Sequence, residues 1–346
     1  MSNQNPFRSM KTNPASIDQA ALCRAAQKLL GTTVLSTDVT ATPLHGGTLG
    51  DVQLLSGTAQ TTDGRALPFR IVQKTQKRWE RPGDPGSWRR EYDLFRSPFH
   101  TLFMDAFSCP QLYEAQESEN ENRLYMAYVE GVSGAALTLD DLTLAADALG
   151  RFQVRCHEQA ARLQAIPCLS DPGYMRRDFS QWTPDTVEYQ YLRSSDCALP
   201  VHLRQMLIEL QNDVDSIFQA MAHLPLVLCH RDYWTENIFV SGGRVIAIDW
   251  DCAGFGVPGE DIASLIADET PAGQIGAYYR RLLPAYYQSL RTGLALPPME
   301  ALPIREMILF RFGYRFLQQL MFSPARPMKD EAIQALEEIH ALPKMP

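Results

Sequence analysis

Residues 228–240 read LCHRDYWTENIFV. His230, Arg231, Asp232, Glu236 and Asn237 crowd into eight positions between two apolar stretches, LPLVLC and NIFV. Both flanks have the composition of short buried strands. Charged groups beside buried strands are costly unless they are paired or put to use. Downstream, SGGR marks a turn and VIAIDWD forms another β-like run that ends on acids. His230, Asp232 and Asn237 are therefore expected on a loop between strands, with Asp249 just after the next strand. A hairpin of this kind brings Asp232, Asn237 and Asp249 to one end. Oxygen-bearing side chains grouped in this way suit a hard cation such as Mg²⁺, which takes one or two carboxylates and fills its shell with water and phosphate oxygens.

The rest of the chain sets the frame for that loop. With 346 residues the chain is long enough for two lobes. At 45% hydrophobic and 21% charged residues it has an ordinary globular composition. The polar start, MSNQNPFRSMKTNPAS, reads as a tail over 1–15 without an apolar signal core, and no apolar run is long enough for a membrane span. Seven cysteines without a C-x-x-C pair point to a reducing cytoplasm rather than a disulfide or zinc framework. HEQAA at 157–161 lacks the second His of a zinc-protease helix. A net charge of −8 argues against nucleic acid as a partner. Residues 171–270 hold 16 Asp and Glu against 6 Lys and Arg. This excess is either solvated surface or a cleft that attracts cations, metal ions or an amine-bearing substrate.

Periodicity changes along the chain. DQAALCRAAQKLLG has helical spacing, and STDVTATPLHGG, DVQLLSGTAQ and LPFRIVQKTQ predict an antiparallel meander with TTDGRA as a hairpin turn. WRREYDLFRSPF reads as a helix, and QLYEAQESENENRLYMAYVEG as two strands around a polar turn. From about residue 140 helical patterns dominate. LTLAADALGRFQVRCHEQAARLQAI is one long candidate, and residues 203–221 carry a single buried helical stripe. The pattern predicts an α+β chain. A β-rich N-terminal lobe over 16–130 is followed by a larger, mainly helical C-terminal lobe over 131–346.

H-x-D-x-x-x-x-N followed by I-D-W resembles the phosphotransferase family that includes aminoglycoside and choline kinases, whose fold is similar to that of protein kinases. The resemblance covers about residues 40–265. It implies a bilobal protein-kinase-like fold and transfer of the ATP γ-phosphate, with Mg²⁺, to a hydroxyl of a small molecule. It also implies that Asp232 accepts or orients the substrate proton, and that Asn237 and Asp249 bind the metal. In this family the His at position 230 braces the loop, and the acid at 261 supports the loop or the helix that follows. For Asp251 the alternatives are a second metal or substrate contact and a solvated surface acid. Arg231 stands where the family more often has Gly, and the sequence names no partner for it. An activation segment ending in A-P-E, which a protein kinase needs, is missing after Asp249.

The same resemblance assigns the N-terminal lobe to ATP. Lys74 in FRIVQKTQ fits the phosphate-binding lysine, and Glu91, 17 residues later, fits its ion-pair partner. Arg90 is adjacent, so only one of the pair faces inward on a helix, and Glu91 is the choice. Gly46, Gly47 and Gly50 in HGGTLGDV occupy the place of the phosphate-covering loop, although without the G-x-G-x-x-G spacing. Met126, Ala127, Tyr128 and Val129 match the linker whose backbone holds adenine. Acceptor contacts are expected within 134–225 and 272–346, and the acidic middle of the chain favours an amino sugar or amino alcohol.

Overall fold

A computed structural model describes residues 17–44, 50–79 and 84–345 of the protein. The chain divides into two compact units, Met1–His100 with Cys109–Glu130 and Thr101–Ser108 with Gly131–Pro346. Gly46 and Gly47 lie outside the described residues.

The first unit opens with helix α1 (Gln19–Leu30) and strands β1 (Val34–Pro43), β2 (Gly50–Thr61) and β3 (Ala66–Lys77), followed by α2 (Ser87–Arg96). Strand β4 (Phe107–Ser108) belongs to the second unit, and β5 (Leu112–Glu117) and β6 (Glu121–Ala127) return to the first. The sheet order is β1-β2-β3-β6-β5, and every pairing in it is antiparallel. The β2–β3 turn forms where TTDGRA predicts it. Gly64 takes a left-handed φ of 81°, and the Thr61 amide donates to the Arg65 carbonyl at 2.9 Å. Alternation along the strands sends Leu55, Phe69, Ile71 and Tyr125 to one face. There they bury Ala21, Leu22, Ala25 and Ala26 of α1. Helix α1 is capped at both ends: the Asp18 carboxylate accepts the Ala21 amide, and Gly31 takes a φ of 65° after the last turn.

The second unit is mostly helical. It runs β7 (Val132–Ser133), α3 (Leu139–Glu158), α4 (Ala160–Gln164), α5 (Tyr174–Ser180), α6 (Val187–Arg193), α7 (Val201–Asn212) and α8 (Val214–Met221). Next come β8 (Val227–Cys229), β9 (Ile238–Ser241), β10 (Arg244–Ala247) and β11 (Gly254–Gly256). It ends with α9 (Glu260–Ala267), α10 (Ile275–Leu290), α11 (Ile304–Ile308), α12 (Tyr314–Phe322) and α13 (Arg326–His340). The stripe over 203–221 is two helices rather than one. The chain breaks at Asp213, whose backbone (φ −93°, ψ 4°) leaves the helical region, and polar Asn212 and Asp213 favour such a break. Gln159 likewise separates α3 from α4. Strand β9 forms a hairpin with β10, whereas β8 pairs with β11. The two apolar flanks of the opening stretch thus lie in different sheets, and the polar loop bridges them.

No helix among the described residues is long and apolar enough to cross a membrane. All seven cysteines are free thiols. An aromatic cluster supports the loop from behind. The Phe107 and Phe152 rings lie 4.7 Å apart, Phe103 stacks on Phe152 at 5.1 Å, and Trp250 meets Phe152 edge-on at 5.9 Å. Phe152 is buried in the middle of this cluster. Phe152→Ala is expected to lower unfolding free energy by about 3–5 kcal/mol, as read from urea denaturation. A loss below about 1 kcal/mol would show that the cluster does not carry this part of the fold.

Candidate active site

Strand β8 ends at Cys229, and the chain turns at once. Arg231 adopts a left-handed φ of 66°, uncommon for a residue with a side chain. One buried carboxylate holds the turn. Asp261, in the first turn of α9, accepts the His230 amide at 2.9 Å and the Arg231 amide at 2.8 Å. Gln153 of α3 donates to the same carboxylate at 3.2 Å. Burial raises the Asp261 pKa, while the amides of Arg231 and His230 oppose the rise. His230 bonds through Nε2 to the Ile248 carbonyl at 2.8 Å and accepts the Asp232 amide at Nδ1 at 3.3 Å. That pattern fixes the tautomer with its hydrogen on Nε2. Trp250 packs on the imidazole with ring centroids 4.4 Å apart. His230 therefore links the loop to the segment that carries Asp249.

Asp232 is half-buried, and Asn237 is buried beside it. The Asn237 Nδ2 donates to the Asp232 backbone carbonyl at 2.9 Å and to its Oδ2 at 2.7 Å. Because Nδ2 is used in this way, the amide oxygen is the Asn237 atom that could serve a metal. On the main chain, the Ile248 amide donates to the Asn237 carbonyl at 3.0 Å, next to the β9–β10 pair Ile238–Ala247. Asp249 follows directly, again in a left-handed conformation (φ 64°). Burial pushes the Asp232 pKa up to about 6, and the charge of Asp249 adds to the rise, so the two acids share one electrostatic environment. Oxygen donors with excess negative charge fit Mg²⁺. Among the described residues no three His, Cys, Asp or Glu side chains form a metal cage, so the remaining positions would fall to water and phosphate oxygens. Asp251 is half-buried in the turn after Trp250.

Arg231, without a partner in the sequence reading, is almost fully buried. Its guanidinium donates to Ser170 Oγ, to the Phe255 carbonyl and, at 3.1 Å, to the Asp171 carbonyl. Glu260 lies 3.4 Å from Nε, and the Tyr174 ring centroid lies 4.5 Å from the guanidinium carbon. Gly254 makes room for this cluster, because a Cβ there would fall 2.7 Å from Arg231 Nη1 and closer still to Ser170 Oγ. The arginine thus ties the loop to β11 and to the segment that enters α5. No sequence periodicity marks these partners, which lie 24 to 61 residues from Arg231.

In the first unit, Lys74 Nζ lies 2.5 Å from Glu91 Oε2, and both side chains are buried. Arg90, the adjacent alternative, turns to Asp84 and binds it through both terminal nitrogens. Met126 and Ala127 close β6 opposite Val72 and Ile71, and the Tyr128 ring lies 3.8 Å from the Arg70 guanidinium carbon. Gly50 begins β2, where a Cβ would come within 2.7 Å of the Thr75 carbonyl.

Comparison with known proteins adds three findings. The sequence pattern of the phosphotransferase enzyme family matches residues 73–293. No curated protein matches the chain in sequence. Among solved structures, a microcompartment-associated aminopropanol kinase aligns over 92% of this chain and 95% of its own, at 16% identity and a TM-score of 0.55. A choline/ethanolamine kinase family protein from Mesorhizobium loti aligns over 94% of each chain, at 14% identity and a TM-score of 0.52. A choline kinase from Cryptosporidium parvum covers 87% of this chain and 88% of its own, at 12% identity and a TM-score of 0.52. At identities this low, these alignments establish a shared kinase-like fold alone.

Asp261→Asn keeps the shape but turns one acceptor into a donor, so one loop amide loses its partner. The expected cost is about 1–3 kcal/mol of stability, with faster hydrogen exchange at the His230 and Arg231 amides. Unchanged exchange at both positions would show that the carboxylate does not hold the turn.

Proposed function

The chain belongs to the phosphotransferase enzyme family, and on that premise we propose that it transfers the γ-phosphoryl group of ATP, with Mg²⁺, to a hydroxyl of a small amine-bearing molecule. The observation that carries this reading is the joined pair of Asp232 and Asn237, set beside Asp249 by the β9–β10 hairpin. Asp232 receives the proton of the acceptor hydroxyl as the acceptor oxygen bonds to the γ-phosphorus. The bond from that phosphorus to the bridging oxygen breaks, and ADP leaves with the electron pair. Asn237 anchors the Asp232 carboxylate and offers its amide oxygen, with Asp249, to the metal. Bound Mg²⁺ would neutralise phosphate charge. His230, Asp261 and Arg231 hold these groups still, and a group held in place needs no reorganisation during transfer.

For the first unit, the proposed roles follow the family pattern. Lys74, oriented by Glu91, holds nucleotide phosphates, the backbone of Met126 to Val129 holds adenine, and the segment with Gly46, Gly47 and Gly50 covers the phosphates. The acidic middle of the chain supports an amino sugar or amino alcohol as acceptor. The family match supports a small-molecule phosphotransferase, and seven cysteines without a C-x-x-C pair are the ground for proposing a cytoplasmic setting.

The test is ATP turnover with a panel of amino sugars and amino alcohols. Asp232→Ala is expected to lower acceptor-stimulated turnover by about a hundredfold or more while the fold is retained. Asn237→Ala is expected to raise the Mg²⁺ concentration needed for half-maximal rate. Retention of most of the rate by Asp232→Ala would sink the mechanism. Binding of Mg²⁺ and ATP without turnover on any acceptor would favour a nucleotide-binding scaffold.

A further inference from the structure

Helix α11 runs into α12 through one wide turn, Leu309–Gly313, of π-helical form. Such turns are rare and concentrate at functional sites. Arg311 sits in the middle of this turn. Its Nη2 donates to the Arg231 carbonyl at 2.7 Å, and that carbonyl belongs to the peptide joined to Asp232. The guanidinium is thus fixed beside Asp232 by a neutral group that uses only part of its donor capacity.

The nearby charges differ in how far they are committed. Arg231 is almost wholly buried and engaged with Ser170, Asp171, Phe255 and Glu260. Arg315, one turn beyond Arg311, pairs with Asp268 at 2.6 Å. Among the described residues Arg311 has no carboxylate within ion-pair distance. Its charge nevertheless acts on Asp232, where it offsets part of the rise caused by burial and Asp249. At Arg311 itself, burial opposes the charge, and the negative fields of Asp268, Asp232 and Asp178 favour it. A cation held at a reaction centre without a carboxylate partner of its own is suited to an anion that arrives with the ligand.

We propose that Arg311 is a further catalytic residue, whose guanidinium binds the oxygens of the phosphoryl group as it passes Asp232. This inference rests on the phosphotransfer reading. In the transfer, negative charge on those oxygens lies beside a carboxylate that is receiving a proton, and a positive group fixed at that point stabilises the arrangement. An anionic substituent of the acceptor would offer Arg311 the same oxyanion chemistry, so the experiment separates the two sources.

Arg311→Gln is the decisive variant, because it removes the charge but keeps a donor for the Arg231 carbonyl. Arg311→Lys keeps charge without the planar fork. Calorimetry measures the affinity for ADP with Mg²⁺, first alone and then with aluminium fluoride as the phosphoryl mimic. For Arg311→Gln, ADP binding alone should stay within about twofold of the parent. The extra affinity conferred by aluminium fluoride should fall by about tenfold or more, and kcat by about a thousandfold, with Arg311→Lys between them. Thermal unfolding and hydrogen exchange at residues 230–232 should match the parent.

Full retention of the aluminium fluoride increment in Arg311→Gln would overturn the inference. So would retention with only the acceptor KM raised, which would assign Arg311 to an anionic acceptor group. Loss of order at 230–232 with an unaltered increment would reduce Arg311 to a loop tie and overturn it as well. Failure of the parent to bind ADP with Mg²⁺ would remove the phosphotransfer reading itself. Parent binding with no difference among the Arg311 variants would remove this inference alone.

Discussion

Everything at the candidate site depends on one buried carboxylate. Asp261 accepts the amides of His230 and Arg231 together, and so turns the chain between β8 and Asp232. A carboxylate in a dry interior is unfavourable unless its lone pairs are met. Here two amides and the Gln153 side chain meet them, and Tyr286 bonds in turn to Gln153. The arrangement makes α9, α3 and α10 three walls of one support. It also explains why Arg231, with a φ of 66°, accepts left-handed backbone. Asp249, at a φ of 64°, lies between Ile248, bonded to Asn237 and His230, and Trp250, packed on the His230 ring. Local strain of this kind persists only where the surroundings resist relaxation.

The lobe pattern and the residues of the loop were legible in the sequence because they are local. Asp232, Asn237 and Asp249 fall within one hairpin and its entrance, so their spacing already groups them in the sequence. Lys74 and Glu91 are 17 residues apart on consecutive elements, and the strand and helix periods narrow the choice. Arg90 and Glu91 show the limit of that argument. The sequence allows either to face inward, and the choice follows from Asp84, which takes the arginine. The break at Asp213 was hidden for the opposite reason: the apolar stripe continues through it, and periodicity does not register one residue leaving helical geometry.

Other parts of the site were not legible, because they come from distant elements and carry no motif. Gln153 looks like any polar residue in a helix, and its role appears only when α3 packs against β8 and α9. Arg231 was conspicuous but unexplained, since two of its partners are backbone carbonyls that any sequence offers and the Ser170, Tyr174 and Glu260 side chains come from distant segments. Arg311 was invisible. It lies 79 residues beyond Asp232 in an apolar stretch, and a π turn has no sequence signature that separates it from α-helix.

The charges of the second unit also qualify what an acidic sequence means. Residues 171–270 look like a sink for cations when their charges are simply summed. In the folded chain many of those acids are already committed. Asp171 is held by Arg177, which lowers its pKa to about 2, Asp268 is paired with Arg315, and Asp261 is spent on backbone amides. The charges that act on Asp232 include Asp249, which raises its pKa, and Arg311, which lowers it. Net charge over a segment therefore says little about a ligand that binds within it. An amine-bearing acceptor would be drawn by the wider electrostatic field, which steers encounter. The immediate surroundings of Asp232 set acids beside the Arg311 guanidinium, and this local arrangement is what the proposed phosphotransfer draws on.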